Sequence, residues 1–482
     1  MSIYSALNSA MSGLSAAGRS SQVVSENLAN ALTPGYTRRV LDLNSPGAGV
    51  PGVQVGNVQR MNDPVLISNR RVAEAEYGAA KAEADFFSRM SDLVGTVDDE
   101  MSLASQLSDF ESSLIEAVSR PDSQPRLNDL AVKANTLADS ISRTAEGLRD
   151  LRINADSAIS SQVDTVNQAL KEIEKLNARI MVVEAGGMDA VAMQDQRDQL
   201  IDQVNGIIPV NAVRRGNGQV TLYSTGGVML LDHKASELSF TPSRDIMPHM
   251  TLGNGMISGL QVNGKTIDTS PGGPLRGGTL TAQFEIRDVT AVEAQEDLDA
   301  MAADLIERFQ DPALDATIGA ADAGIFTDDG SFFDPVNTVG ISNRIELNDL
   351  VALDGTGETW RFRDGLYAAG PGDPGDSSLL QAYSDALNTT RTVSSVGLGT
   401  ADMTAATLSA NLLSRFAQDN ETAARASTFA ATSFNELSQA ELALGVDTDA
   451  ELQNLMLVEK YYAANARVLS VVDELMETLL RI

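Results

Sequence analysis

Residues 3–36 read IYSALNSAMSGLSAAGRSSQVVSENLANALTPGY, and the spacing inside this stretch decides the architecture of the chain. Ile3, Leu7, Ala10, Leu14, Ala17, Ser21, Val24, Leu28 and Ala31 recur at alternating intervals of four and three. Such a heptad repeat predicts a helix that packs along one stripe against other helices. Most of these positions are small. Gly13 and Gly18 interrupt the run, and each glycine costs about 1 kcal/mol relative to alanine in a helix interior. Pro34 lacks a backbone donor and biases Thr33 away from the helical region, so the helix is expected to stop there. By itself this helix is marginal.

The other end of the chain mirrors it. Thr448-Asp449-Ala450-Glu451 reads as a capping box that opens a helix. From there Leu455, Val458, Tyr462, Asn465, Leu469, Val472, Met476 and Leu479 keep a heptad seam with one polar break. Asn465 either sets register in that seam or faces solvent, since the apolar stripe also spreads onto Leu475 and Leu480. Arg481 in the last turn suits the helix dipole. Residues 1–60 carry four arginines against two acids, and residues 445–482 carry seven acids against three bases. Matching seams and opposite charge predict that the two terminal helices pair with each other.

Composition narrows the class. At 482 residues the chain is long enough for about three domains. Its formal charge of −31 repels phosphate backbones and anionic lipid, so neither nucleic acid nor a charged membrane surface is an expected partner. There is no cysteine, hence no disulfide, thiolate nucleophile or cysteine-bound zinc. The opening residues, Met1 to Ser5, lack the basic start and apolar core of a cleavable secretory signal. No apolar run approaches a membrane span, so membrane insertion is not expected.

Between the ends the period changes repeatedly. Val50, Val53, Val55 and Val58, set among Pro46, Gly47, Pro51 and Gly52, predict extended or hairpin chain. A helical stretch follows from about Pro64 to Gly206, with breaks near Gly95, at Pro121 and Pro125, and at Gly186-Gly187. From about residue 207 strand-like alternation appears in Gly218-Gln219-Val220-Thr221-Leu222-Tyr223, and Asn263-Gly264 signals a two-residue hairpin. Helix returns at about 282–310 and again at about 401–442, separated by a stretch rich in glycine and aspartate.

Ser25-Glu26-Asn27-Leu28-Ala29-Asn30-Ala31-Leu32-Thr33-Pro34-Gly35-Tyr36-Thr37-Arg38-Arg39 resembles the N-terminal signature of bacterial flagellar axial proteins. The fuller Thr-Pro-Gly-Tyr-Thr-Arg form is similar to the FlgK family, the hook-associated proteins 1 of the hook–filament junction. Asp195-Gln196-Arg197-Asp198-Gln199-Leu200-Ile201 resembles that family's motif near the end of its long helices. So do Gly277-Gly278-Thr279-Leu280 with Glu285-Ile286-Arg287-Asp288, and Tyr462-Ala463-Ala464-Asn465-Ala466-Arg467-Val468. Phe309-Gln310 and Glu459-Lys460 depart from the family pattern. The motif also has local physical sense: Gly35 can take the positive φ of a tight turn, and Tyr36 offers a ring to pack and a hydroxyl to pair. Asn27 and Asn30 can bond exposed carbonyls or a neighbouring subunit, and an ordinary helix stop is the plainer alternative.

Candidate chemistry is sparse. His233 and His249 stand 16 residues apart with no third zinc ligand in register. Asp328-Asp329-Gly330-Ser331 with Asp334 lacks the alternating ligands and closing glutamate of a calcium loop and reads as a turn. Neighbouring acids such as Asp98-Asp99-Glu100 are expected by chance among 66 acidic residues. No catalytic constellation, cofactor site or metal site is read from the sequence.

The expected fold is mixed α and β and multidomain: an elongated helical bundle with terminal coiled-coil helices and inserted β-rich modules. Residues 1–60 form an N-terminal axial helix and extended segment that pairs with the axial helix of 445–482. Residues 61–206 form a helical shaft, completed by 276–311 and 400–444. Residues 207–275 form a β-rich module, and 312–399 a β-containing outer module. The resemblance implies a structural protein of the extracellular flagellum, exported without a cleaved signal, that polymerises at the distal end of the hook. It implies self-association, contacts with hook protein and a neighbouring hook-associated protein, and an export chaperone on the C-terminal helix. The assembly seam would be Ile3, Leu7, Leu14, Val24 and Leu28 with Leu455, Val458, Tyr462, Leu469, Val472, Met476 and Leu479. These positions would order only when adjacent subunits bury them. A sister axial protein, hook protein or flagellin, is the nearest alternative, and a wall hydrolase within 312–399 a more distant one.

Overall fold

The computed structural model describes residues 3–33, 35–47, 50–96 and 99–481. Pro34, Asp98 and the opening Met1 and Ser2 lie outside them. Helix α1 (Ile3–Ala29) leads into a hairpin of β1 (Arg39–Asn44) and β2 (Gln54–Arg60). Four helices follow: α2 (Pro64–Val94), α3 (Leu103–Ser119), α4 (Gln124–Ala185) and α5 (Val191–Ile207). Their ends are set by local chemistry. The Asp63 carboxylate accepts from Val65 N at 2.8 Å and Leu66 N at 3.2 Å, and Pro64 fills the first turn where no donor is needed. Gly95 leaves α2 at a φ of 83°, Ser102 caps α3, and Gly187 ends the α4 turn at a φ of 71°. At 62 residues, α4 is the spine of the molecule, about 93 Å long at 1.5 Å per residue.

Two three-stranded antiparallel sheets lie against the second half of α4. One contains β3 (Val210–Arg214), β4 (Val220–Ser224) and β5 (Met229–Leu231); the other β6 (Leu238–Ser239), β7 (Gln261–Val262) and β8 (Lys265–Thr266). Asn263 and Gly264 turn β7 into β8 with positive φ at both positions, 50° and 75°, as a type I′ hairpin requires. Helices α6 (Gly278–Glu285) and α7 (Ala291–Phe309) run on through a π turn at Ile286–Thr290. Beyond them come β9 (Phe326–Asp328) paired with β10 (Ile345–Leu347), α8 (Arg361–Asp364), α9 (Ser378–Asn388) and β11 (Arg391–Ser395) paired with β12 (Gly399–Met403). The chain closes with α10 (Ala405–Ala443) and α11 (Thr448–Leu480). The fold is mixed α and β, multidomain and mostly helical.

Two large cores hold the body. The first joins α3, the first half of α4, α7 and the start of α10 through Phe110, Phe309, Phe326 and Tyr383. The second joins the later part of α4 to α5 and the two sheets through Ile173, Leu222, Leu260 and Phe284. Between them Arg287, fully buried, pairs with Asp156 at 2.7 Å and lies against the rings of Phe240 and Phe284, 5.4 and 5.0 Å from their centres.

Two local expectations change. Segment 312–399 is not an outer module: Phe326, Phe333, Phe362 and Tyr383 are buried in the same core as α3, α4 and α7. Its widely spaced apolar residues carry no period to read, yet they converge in space. The α11 cap is also different. Asp447 accepts from Asp449 N and Ala450 N, Thr448 is already helical, and the Glu451 carboxylate turns away to Arg38. Arg481 lies past the last turn, exposed, 3.8 Å from Glu477.

Candidate interaction site at the chain ends

Helices α1 and α11 pack along each other, antiparallel. Arg38, just before β1, reaches Glu451 in the first turn of α11 at 2.8 Å, and farther along Gly13 faces Asn465. A Cβ at Gly13 would stand 2.8 Å from the Asn465 amide, so the glycine that weakens α1 lets the two helices approach. Asn465 therefore faces α1, half-buried, and donates to its own helix at Tyr461 O.

Of the expected seam, Val24 and Val472 are buried. Ile3, Leu7, Leu14, Leu28, Leu455, Val458 and Leu469 are half-buried, whereas Tyr462, Met476 and Leu479 are exposed. Much of the stripe read from the sequence is thus used inside one chain, α1 against α11, before any neighbour is added. A second stripe remains. Leu457, Tyr461, Ala464, Val468, Val471 and Leu475 repeat at four, three, four, three and four residues, all exposed. Of this second stripe, sequence reading picked up only the spread to Leu475. Its members sit one residue before those of the occupied seam, and that offset was the available signal.

The turn after α1 is built around Asn27, which is 1% exposed. Its Oδ1 accepts from Tyr36 Oη at 2.8 Å and Arg39 N at 3.0 Å, and its Nδ2 donates to Arg39 O at 2.9 Å. One amide therefore satisfies both backbone groups of Arg39. Asn30 caps Glu26 O, and Thr33 Oγ1 donates to Asn30 Oδ1. Gly35 has a φ of 74°, and a Cβ there would stand 2.3 Å from Gln199 Nε2. Both the backbone and the space require glycine. Burial pushes the Tyr36 phenol up to about 12, against the opposing pull of Arg39, whose guanidinium lies 4.6 Å from the ring centre.

This turn rests on α5. Arg39 donates to Asp195 Oδ2 at 3.2 Å, and Arg60 lies 2.9 Å from Asp195 Oδ1, off the hydrogen-bonding direction. Arg60 also donates to Asp198 at 2.6 Å. Two stretches that looked separate in sequence, 25–39 and 195–201, thus form one contact.

Among the described residues no three of histidine, cysteine, aspartate and glutamate gather closely enough to hold a metal ion. His233 is exposed beside Asp232. Asp328 pairs with Arg344 at 2.6 Å, and Asp329-Gly330 form a tight turn with positive φ. No helix among the described residues is long and apolar enough to cross a membrane.

Three family models match. Residues 7–37 match "Flagella basal body rod protein", residues 440–482 "Flagellar basal body rod FlgEFG protein C-terminal", and residues 87–313 "Flagellar hook-associated protein FlgK helical domain". Flagellar hook-associated protein 1 of Escherichia coli is 30% identical over 298 residues, 59% of this chain and 53% of that protein. Its counterpart in Salmonella typhimurium is 31% identical over 50% of this chain and 45% of its own length. These matches span about half of those relatives. The Bacillus subtilis protein of the same name is 23% identical over 99% of this chain and 98% of its own. The solved structure of the flagellar hook junction protein FlgK from Burkholderia pseudomallei aligns with a TM-score of 0.45 and 16% identity, over 54% of this chain and 46% of that one.

Paired terminal helices that match rod-protein models at both ends, around a helical body, are the arrangement shared with flagellar proteins of the rod-and-hook type. Within that type, the chain is similar to the FlgK family of flagellar hook-associated proteins.

Proposed function

We propose that this chain is a non-catalytic structural subunit of the extracellular flagellum, which polymerises at the distal end of the hook and forms the hook–filament junction. The observation that carries this reading is the second heptad stripe on α11. A helix with one occupied and one open seam is built for a further helix, and an exposed stripe of Leu457, Tyr461, Val468, Val471 and Leu475 is costly to leave in water.

Geometry favours another axial subunit as the occupant. On α11 the open stripe is offset one residue toward the N-terminus from the occupied seam. On α1 the exposed positions Tyr4, Asn8, Met11, Ser15, Gly18, Gln22 and Ser25 are offset one residue toward the C-terminus. In an antiparallel pair these offsets put the two stripes on opposite faces. Unlike opposite faces stack head to tail, which yields a ring or an open helical array. Self-association, contact with hook protein and with a neighbouring hook-associated protein all follow in this reading. An export chaperone would hold α11 by the same stripe before passage.

The test is a strain lacking the chain, complemented with wild type or with Val468→Asp/Leu475→Asp. Wild type should give a narrow immunogold band at the far end of the hook. The double variant should leave intact hooks, no band, and filament subunits shed into the medium. Normal incorporation of the variant would overturn the reading.

A further inference from the structure

We infer that Asp195 is the pin of an ionic elbow that fixes the angle between the paired terminal helices and the body. Among the described residues, none of the three apolar cores contains a residue of 3–60 or 445–480, so no buried apolar cluster joins the ends to the rest. What crosses is polar. Arg39 and Arg60 meet Asp195, Arg60 meets Asp198, and Arg19 lies 3.8 Å from Asp189, whose Oδ1 also accepts from Val58 N at 3.3 Å.

Asp195 differs from the other anions in one respect. Arg39 and Arg60 are cross-strand partners at the root of the hairpin. Like charges directly opposite each other on paired strands repel. Among the described residues, the Asp195 carboxylate, its side chain 9% exposed, is the one group that bridges both guanidinium groups, themselves 11% and 8% exposed. Glu26 and Asp198 each serve one arginine. Asp195 stands on α5, in the body, whereas both arginines stand on the terminal side. It therefore does two things at once: it closes the hairpin root and fastens that root to the body. With the charge removed, the two arginines repel at the root of the hairpin, where it rests on α5. The terminal pair, with its hairpin, then swings on its two linkers, residues 61–63 and 444–447.

The chain has no cysteine, so two can be added cleanly for spin labels. Ser15→Cys lies exposed on α1 and Ser161→Cys exposed on α4. Double electron–electron resonance on the full-length chain should give one narrow distance distribution. Asp195→Asn should widen it at least twofold, Asp195→Glu should keep it narrow, and Asp198→Asn should leave it close to wild type. Arg60→Gln breaks the bridge from the terminal side, outside the body's cores. It should widen the distribution as well, which keeps the inference refutable if Asp195→Asn fails to fold. A narrow distribution in Arg60→Gln, equal widening in Asp198→Asn, or a broad distribution already in wild type would each overturn it. Assembly into flagella is not the readout, so this outcome is separate from that of the proposed function.

Discussion

Inside the body, Phe110, Phe309, Phe326 and Tyr383 meet edge to face at centroid separations of 5.6–5.9 Å. Between the terminal helices, no fully buried apolar residue is larger than valine. Both regions are mostly helix, so helix content does not tell them apart. What differs is the area removed from water per residue, and with it the free energy that resists opening. The body is stable before it meets a partner. The ends keep a thin seam of alanine and valine and leave leucine, tyrosine and valine outside. That arrangement leaves the pair with an exposed apolar stripe at the cost of its own stability.

The largest effect should come from the aromatic cluster. Phe309→Ala removes a fully buried ring packed against three others, and should destabilise the body by about 3–5 kcal/mol. Chemical denaturation followed by near-ultraviolet circular dichroism would read this. A loss below about 1 kcal/mol would mean that the body is not held by this core.

Val472→Asp makes the opposite cut. It places a carboxylate at the most buried apolar site of α11, 5% exposed, and should weaken the α1–α11 pair by about 2 kcal/mol. The melting of the body should not move, because no core spans the joint. In the unmodified chain, amides of α1 and α11 should already exchange faster than those of α4 between Leu130 and Ile173. Equal protection at the ends and in α4 would erase the contrast on which the comparison rests.

How much of this was readable in advance follows from the range of each interaction. The breaks at Gly95, at Pro121 and Pro125, and at Gly186-Gly187 were legible, because proline and glycine act on their own backbone. The Asn263-Gly264 hairpin was legible for the same reason. Helix α9 was not: at 11 residues inside glycine- and aspartate-rich chain, Leu380, Tyr383 and Leu387 are too few to set a period. The joint was invisible as a joint. Arg39 and Asp195 are 156 residues apart, and Arg60 and Asp198 are 138 apart. Nothing local in either stretch names the other. The second stripe of α11 lay in plain view but interleaved with the first, and a single-seam reading absorbs one and discards the other.

A smaller effect separates the turn from the helices it follows. Because burial raises the Tyr36 phenol to about 12, its neutral form is the one the fold favours. The stability it contributes is complete below the unfolded value, about 10, and is lost as pH rises through about 12. Absorbance at 295 nm should show this phenolate forming late, and the α1–hairpin contact should loosen in the same window. Tyr36→Phe should remove that dependence at neutral-pH cost of about 1 kcal/mol, the hydrogen bond to Asn27.

The smallest effect is the sharpest discriminator, because it changes only one methyl group at a time. Gly13 and Gly18 stand five residues apart on α1 and look equivalent in sequence. A Cβ at Gly18 meets nothing within 4 Å, while one at Gly13 would meet the Asn465 amide at 2.8 Å. Gly18→Ala should therefore stabilise the terminal pair by roughly 0.5–1 kcal/mol through helix propensity alone. At Gly13 the same gain is offset by displacement of Asn465, so Gly13→Ala should change stability little, and Gly13→Ala/Asn465→Ala should recover the gain. Equal stabilisation by both single variants would show that α1 does not rest on Asn465 in solution. The antiparallel register, and with it the placement of the two stripes on opposite faces, would then have to be redrawn.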